Sequence, residues 1–248
     1  MSTIDLNADL GEGMGTDEAL LAIVSSASIA TGGHAGDADT MRSALTACKA
    51  RGVRVGAHPG FADKANFGRT RLHVAADVLT SQLQSQLVLF HTLAAQVGVP
   101  VEYFKLHGAL ANMAAEDFAF ATGVIEAIQA VDPEIAILAL DASQQVFAAD
   151  ALGVPVILEA YADRAYTPDG QLVSRSLPGA VIHDTKAVVD RCLMLARYGE
   201  IIAIDGTVFR SSARSICLHG DTPGAVALAG EIRAALEASG VTIAAMPA

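Results

Sequence analysis

Short apolar runs alternate with longer amphipathic stretches from one end of the chain to the other. One amphipathic stretch, residues 78–97, repeats an apolar residue every three or four positions, which is typical of a helix with a single buried stripe. The apolar runs predict strands at residues 3–8, 28–31, 53–57, 102–106, 134–140, 155–159 and 215–218. The amphipathic stretches predict helices at residues 37–51, 78–97, 116–131, 143–152, 184–198 and 225–236.

This alternation predicts an α/β fold with a parallel sheet and right-handed crossovers. Polar residues follow nearly every predicted strand, whereas an open doubly wound sheet collects them at one switch point. The pattern therefore favours closure into a single β/α-barrel domain over residues 1–248. Two stretches stand outside the alternation: residues 161–183, a long polar loop with a turn at 168–170, and residues 200–214, which predict a hairpin around Asp205-Gly206.

Four of the seven histidines lie just past a predicted strand and have a glycine one or two positions later. Glycine at such a position lets the backbone turn sharply or approach a ligand closely. In a parallel barrel the carboxyl ends of all strands meet at one face, where a single small molecule can reach them. We therefore predict an active site at that face. The four are His34, His58, His107 and His219.

Two predicted strands carry rows of polar residues that alternate with apolar ones. Since alternate residues of a strand share a face, each row lies on one side of its strand. We expect both rows to point into the barrel and upward to the site, with Asp5, nearest the bottom, in a structural role. The rows are Asp5, Asn7 and Asp9 on the first strand, and Tyr103, Lys105 and His107 on the fourth.

Carboxylates and imidazoles together suit two kinds of chemistry. They can hold a divalent metal ion that activates water, with Asp9, His34, His58 and His219 as the candidate ligands. They can also act without metal as general acid and base on an amide or ester. The spacing matches no compact metal motif, so both alternatives stay open.

Other chemical signals are weaker. The glycine-rich residues 10–15 lack the G-x-G-x-x-G spacing, and Glu12 would repel a phosphate. Cys217 precedes a histidine as a nucleophile could, but a packed residue of a strand is the favoured interpretation. The chain has no G-x-S-x-G motif, which argues against a serine hydrolase.

Composition and charge exclude several classes of partner. The net charge of −11 argues against nucleic acid and against an anionic membrane surface. Three scattered cysteines, no signal peptide and no long apolar run lead us to expect a cytoplasmic protein. Cations nevertheless gather beside the loops that follow strands, which indicates either an anionic substrate or salt bridges to nearby acids. These cations are Arg69, Lys105, Arg164 and Arg175.

Eight sequence blocks, in the same order along nearly the whole chain, resemble the LamB/YcsF family, the A subunits of ATP-dependent 5-oxoprolinase. The blocks are DLNADLGEG (5–13), HAGD (34–37), GAHPG (56–60), NFGR (66–69), KLHG (105–108), YADRAY (161–166), LVSR (172–175) and CLHGD (217–221). Two positions depart from the family, which usually has CGFH where this chain has TGGH (31–34) and KPHG where it has KLHG (105–108). These departures bear on the shape of the pocket near His34 and His107.

The resemblance implies a seven-stranded β/α barrel of the glycoside hydrolase and deacetylase type. It further implies that the lactam of 5-oxo-L-proline is opened to L-glutamate, with ATP as co-substrate, in a complex with B and C subunits. An unstrained amide needs such an external driving force, and the substrate's carboxylate suits arginine or lysine. A metal-dependent deacetylase or amidohydrolase acting alone, and a non-catalytic substrate-binding subunit, are the alternatives.

We assign residues to roles as a hypothesis on this basis. The catalytic set comprises Asp9, His34, His58, His107, Glu159, Asp163 and His219. The substrate-binding set comprises Asn7, Glu12, Arg69, Lys105, Arg164 and Asp221. A divalent metal ion would be the second cofactor beside ATP.

Overall fold

Seven parallel strands close into a barrel in the computed structural model, which describes residues 2–218 and 224–247. Neighbours in the barrel follow chain order, and the last strand pairs back onto the first, with Asp5 in register with Ser215. The predicted fold class is therefore confirmed. The barrel strands are β1 (Thr3–Leu10), β2 (Ser26–Ala30), β3 (Arg54–His58), β4 (Tyr103–Phe104), β5 (Ala136–Leu140), β6 (Val156–Tyr161) and β9 (Ser215–Leu218), and the others are β7 (Glu200–Ile202), β8 (Val208–Arg210) and β10 (Thr242–Ile243).

Helices cover the outside of the barrel. In α3 the predicted apolar stripe is buried, and Asp37 and Asp184 accept backbone N–H groups at the starts of α2 and α7. Among the described residues, no helix is both long enough and apolar enough to cross a membrane. The helices are α1 (Asp17–Leu21), α2 (Ala38–Arg51), α3 (Ala76–Val97), α4 (Gly108–Glu116), α5 (Phe118–Gln129), α6 (Gln144–Leu152), α7 (Thr185–Tyr198) and α8 (Ala225–Ala238).

Apolar and polar side chains of the barrel strands lie largely on opposite faces. Outward residues such as Leu6 and Ile29 join one large apolar cluster with the helices. Inward residues are largely polar, apart from a small separate cluster of Tyr103, Leu138 and Ile157 with Ala136 near the bottom. The barrel interior is consequently a hydrogen-bonded network rather than a hydrocarbon core.

The structure departs from the predicted elements in several of its helices and in one short strand. Residues 116–131, predicted as one helix, form the end of α4 and then α5, because Asp117 adopts an extended backbone and its side chain accepts the N–H of Phe120. The helix α4, the short helix α1 and the two-residue strand β10, which pairs with the start of β1, were not predicted. α1 and β10 are too short to give a periodic signal.

The two predicted insertions are both ordered. The hairpin is confirmed: β7 and β8 pair antiparallel, and Gly206 has the positive φ that its turn requires. Residues 161–183, which we call the excursion, are more structured than a polar loop. They contain two antiparallel bridges, Arg164 with Val181 and Tyr166 with Leu172, and a buried apolar cluster of their own.

Candidate active site

A cavity of about 420 Å³ opens at the carboxyl ends of the barrel strands. Its lining combines carboxylates, imidazoles and a buried lysine with arginines from the loop after β3 and from the excursion. Such a wall binds a small polar molecule rather than an apolar one. The polar lining includes Asp9, Glu12, His58, Arg69, Arg71, Lys105, His107, Tyr161, Arg164, Ser174, Arg175 and Ser176.

Lys105 lies at the centre of the barrel interior. Its Nζ is 3.0 Å from Asp9 Oδ1, 2.9 Å from Glu159 Oε1 and 3.0 Å from the Sγ of Cys217. Asn7 links this group further, because its Nδ2 donates to Glu159 at 2.9 Å while its Oδ1 accepts from Lys105 at 3.3 Å. Burial opposes the charge on Lys105, but the acids outweigh burial and hold its pKa well above the ordinary value.

Three histidines from different strands meet beside this network. His34 follows β2, His58 ends β3 and His107 follows β4. The rings of His34 and His107 are stacked with centroids 3.5 Å apart and an interplanar angle of 3°, while His58 meets both edge-on. Glu12, from the loop after β1, places its Oε1 2.9 Å from His34 Nε2 and 3.4 Å from His107 Nδ1. The predicted convergence at one rim is therefore present for these residues.

Backbone carbonyls fix the orientation of two of the rings. His58 Nδ1 lies 2.8 Å from the carbonyl oxygen of Lys105, and His107 Nε2 lies 2.9 Å from that of Phe67. Because a carbonyl oxygen only accepts, each of these ring nitrogens carries the hydrogen and donates it. The other nitrogen of each ring faces the cluster. Phe67 aims its carbonyl from a left-handed backbone with φ of 54°.

The environment separates the pKa values of the three rings. Burial lowers the pKa of His34 far below its ordinary value and, together with the charge of His58, lowers that of His107 to about 3. Burial also acts against protonation of His58, but the carboxylates of Asp9 and Glu12 outweigh it and raise its pKa. At neutral pH, His34 and His107 are therefore neutral.

Four arginines line the cavity from two parts of the chain. Arg71 pairs with Glu116, and Arg164 donates to the carbonyls of Val173 and Ala180. Arg69 stacks over the ring of Phe67, 5.0 Å from its centroid. Arg175 lies on the excursion and, like Arg69, is exposed at the cavity wall.

The structure places most of the predicted site residues together, but not all. Asn7, Asp9, Glu12, His34, His58, Lys105, His107 and Glu159 form one contiguous group. Arg69 and Arg164 line the same cavity, whereas Asp163 is buried at the start of the excursion and does not line it. His219 and Asp221 lie outside the described residues.

Sequence reasoning missed two features of the site on β9: Ser215 itself, and the contact of the packed Cys217 with Lys105. Both residues face inward, where Ser215 Oγ accepts from Asn7 and Cys217 contacts Lys105. Their alternation with apolar residues is the signal that would have shown that they face inward. Burial raises the pKa of the Cys217 thiol well above its ordinary value, which favours the packed interpretation over a nucleophile. The carbonyl of Phe67 left no signal in the sequence.

Comparison with known proteins places this geometry in a family. The model of the LamB/YcsF family matches residues 4–248. A protein from Agrobacterium fabrum, named as an A subunit of 5-oxoprolinase, is 46% identical over 248 residues, which cover 98% of this chain and 97% of that one.

Solved structures also resemble this chain. A lactam utilization protein from Thermus thermophilus superposes with a TM-score of 0.92 at 34% identity, covering 98% of this chain and 100% of that one. A polysaccharide deacetylase from Bacillus cereus, at 12% identity and a TM-score of 0.51, covers 99% of this chain and 92% of that one and shares the fold alone. With the family model spanning the barrel and every segment that lines its cavity, the chain belongs to the LamB/YcsF family.

Proposed function

We propose that this chain opens the lactam of 5-oxo-L-proline to give L-glutamate, as the A subunit of a 5-oxoprolinase. ATP is the co-substrate, a divalent metal ion is the second cofactor, and the partners are B and C subunits. One observation carries the proposal: a single small cavity is lined by acids and imidazoles together with arginines. The names of similar proteins, which are A subunits of 5-oxoprolinase and a lactam utilization protein, support it.

The substrate's two functional groups fit the two kinds of side chain that line the cavity. 5-Oxoproline carries one carboxylate, which arginine can hold through two parallel hydrogen bonds. We assign this role to Arg69 and Arg175, because both are exposed at the cavity wall, where a ligand can reach them. The lactam then faces Asp9 and His58, whose Oδ2 and Nε2 atoms are 3.4 Å apart.

The chemistry requires a base for water and an acid for the leaving nitrogen. Water adds its hydroxyl to the carbonyl carbon, the ring C–N bond breaks, and the nitrogen takes a proton. Asp9 and His58 are placed to move these protons, since a general acid or base acts within hydrogen-bond reach. Hydrolysis of ATP to ADP and phosphate supplies the driving force for opening an unstrained amide.

Reconstitution with the B and C subunits tests the proposal. We expect the wild-type assembly to form ADP and glutamate together from ATP and 5-oxoproline, and Asp9→Asn to lose glutamate formation by roughly 100-fold or more. Arg175→Gln should raise the KM for 5-oxoproline about tenfold or more with a smaller effect on kcat. Arg210→Gln is the matched control, because Arg210 pairs with Glu200 on the hairpin. An assembly that leaves 5-oxoproline intact would refute the proposal.

The second candidate is a metal-dependent amidohydrolase that acts alone. The cluster of Glu12 with three histidines favours it, since such donors can hold a metal that activates water. Amide hydrolysis by the isolated chain without ATP would support this candidate. A non-catalytic binding subunit would instead show unchanged turnover in the Asp9→Asn assembly.

A further inference from the structure

One buried amide joins the loop after β2 to the loop after β3. Gln86 lies on α3 and is buried. Its Nε2 donates to the carbonyl of Gly60 at 2.9 Å and to that of Gln82 at 3.3 Å. Its Oε1 accepts from the hydroxyl of Thr31 at 2.8 Å and from the N–H of Gly60 at 3.3 Å. A glutamine amide has two N–H groups and two lone pairs, so this one is fully used.

The segment that Gln86 holds, residues 58–60, carries one ring of the histidine cluster and supports the other two. His107 donates its backbone N–H to the carbonyl of Pro59 at 2.9 Å. A Cβ on Gly60 would lie 2.9 Å from His34 Nδ1 and 3.2 Å from His107 Cβ. Gly60 therefore packs directly against the two histidines whose rings are stacked.

Packing alone does not require an amide at this position. An apolar side chain could join the core cluster as Leu83, Leu87 and Phe90 of the same helix do, whereas a buried amide stabilises only when its hydrogen bonds are made. Gly60 lies beyond the end of β3, so the amide of Gln86 takes the place of a neighbouring strand for its N–H and its carbonyl.

The reach of Gln86 depends on a glycine in the loop after β2. A Cβ on Gly33 would lie 2.5 Å from Gln86 Oε1 and 2.6 Å from the carbonyl oxygen of Gly60. Even the smallest side chain at residue 33 would therefore push the amide away from Gly60.

We propose that Gln86 is a positioning residue for lactam opening. By fixing residues 58–60 it sets how His34 and His107 pack beside the reacting groups, and a displacement of about 1 Å at such groups can cost roughly 100-fold in rate. Within the part of the chain that the structure describes, Gln86 does not line the cavity, so it acts through Gly60. The inference deepens the proposed function, on which its kinetic test rests.

Gln86→Leu keeps the approximate size of the side chain and removes its hydrogen bonds. In the reconstituted assembly we expect kcat for glutamate formation to fall roughly tenfold or more, while the KM for 5-oxoproline changes by less than about twofold. The KM is spared because Arg175, a proposed carboxylate ligand, lies on the excursion and not on the segment that Gln86 holds.

Gly33→Ala breaks the same link by crowding. The backbone of Gly33 is not left-handed, so alanine adds contact with the amide without that strain. We expect the same loss of kcat at nearly unchanged KM as in Gln86→Leu.

Nuclear magnetic resonance of the histidine Cε1–H groups tests the packing without substrate or partners. Stacked rings shift each other's signals, so Gln86→Leu and Gly33→Ala should each move the signals of His34 and His107. Single substitutions of the seven histidines assign the signals.

Two variants on the same helix are the controls. Gln84→Leu makes the same change two positions away, where the side chain is only partly buried. Leu93→Ala opens a cavity in the apolar cluster further along α3 and lowers stability. Both should keep wild-type kcat and wild-type signals of His34 and His107 at temperatures well below unfolding.

The outcomes separate this inference from the proposed function. Unshifted signals of His34 and His107 in the two test variants overturn the inference, whatever happens to kcat. An equal loss of kcat in Leu93→Ala at equal loss of stability also overturns it. If the wild-type assembly leaves 5-oxoproline intact, the proposed function fails and the histidine signals still decide the role of Gln86. Circular dichroism shows whether each variant folds, and Gly33→Ala carries the test if Gln86→Leu does not.

Discussion

At the scale of single residues, Gly68 determines how closely two histidines can stack. It has φ of 62°, and an added Cβ would lie 2.7 Å from His34 Cβ and 3.1 Å from His107 Cδ2. Gly68→Ala should therefore push the stacked rings apart and lower turnover by roughly tenfold or more, because the side chains beside the reacting groups are displaced. Steady-state assays measure the effect.

Gly15→Ala is the control for backbone strain. Gly15 has φ of 73°, but no atom of the residues that the structure describes lies within 4 Å of its added Cβ. Both substitutions cost about 1–2 kcal/mol for a left-handed alanine, and only Gly68→Ala adds crowding at the histidines. Equal turnover in the two variants would show that crowding at Gly68 is unimportant.

Asp5 gives a pH dependence to stability. Burial raises its pKa, although hydroxyls of Ser25, Ser26 and Ser215 act in the other direction. The folded state then holds a proton that the unfolded state has released, so stability falls as pH rises from the ordinary aspartate pKa through the raised value.

Asp5→Asn removes this titration. The free energy of unfolding of the variant, minus that of wild type, should increase across that pH window by about 1.4 kcal/mol for each pH unit crossed. Urea unfolding at a series of pH values measures it. A difference that stays flat with pH would contradict the raised pKa.

At the scale of elements, Arg164 holds the excursion over the cavity. Its guanidinium donates to the carbonyl of Val173 at 2.6 Å and to that of Ala180 at 3.3 Å. Arg164→Met should leave these carbonyls unpaired, speed hydrogen exchange in residues 172–181, and raise the KM for substrate several-fold. Arg197→Met on α7 is the control, and unchanged exchange in the Arg164 variant would contradict the role.

The sequence predicted the barrel elements well for a specific reason. Buried parallel strands read as apolar runs and helices with one buried face read as apolar stripes, and both leave strong signals in a sequence. The bounds predicted for the last barrel strand, residues 215–218, are those of β9 in the structure. The excursion leaves no such signal. Its order comes from tertiary contacts, including Arg164 with two carbonyls and a cluster of Ala165, Val173 and Ala180, which no local pattern reveals.

At the scale of the whole molecule, Lys105 links strands on different sides of the barrel. Its ammonium contacts acids from β1 and β6 and the thiol of Cys217 on β9. Lys105→Met should destabilise the fold by about 3–5 kcal/mol, because Glu159 would remain as a buried uncompensated charge beside the partly buried Asp9. Urea unfolding measures this loss.

A second substitution tests the reason for that loss. Adding Glu159→Gln to Lys105→Met removes one of the stranded charges and should restore part of the stability. Lys186→Met is the matched control on the surface, since its partner Asp190 is also exposed, and we expect little change. A double variant no more stable than Lys105→Met would contradict this explanation.

Barrel closure also explains how much of the candidate site could be predicted. Parallel strands bring their carboxyl ends to one rim, so His34, His58 and His107 could be grouped without coordinates. The placement of Glu12 beside the three rings could not be predicted, because it depends on how the loop after β1 folds back over the rings. Which ring nitrogen faces the cluster depends on two backbone carbonyls and is equally invisible to a pattern of residue types.

The polar inner wall of the barrel has a consequence for how such a chain can change over generations. Each inward group satisfies several neighbours at once, as Asn7 does with Glu159, Ser215 and Lys105. Replacing one such residue leaves its hydrogen-bond partners unsatisfied. Residues of the inner wall must therefore be substituted together, whereas residues at the rim can be substituted one at a time. New substrate preferences in this scaffold should therefore arise by remodelling the rim while the inner wall is inherited as a block.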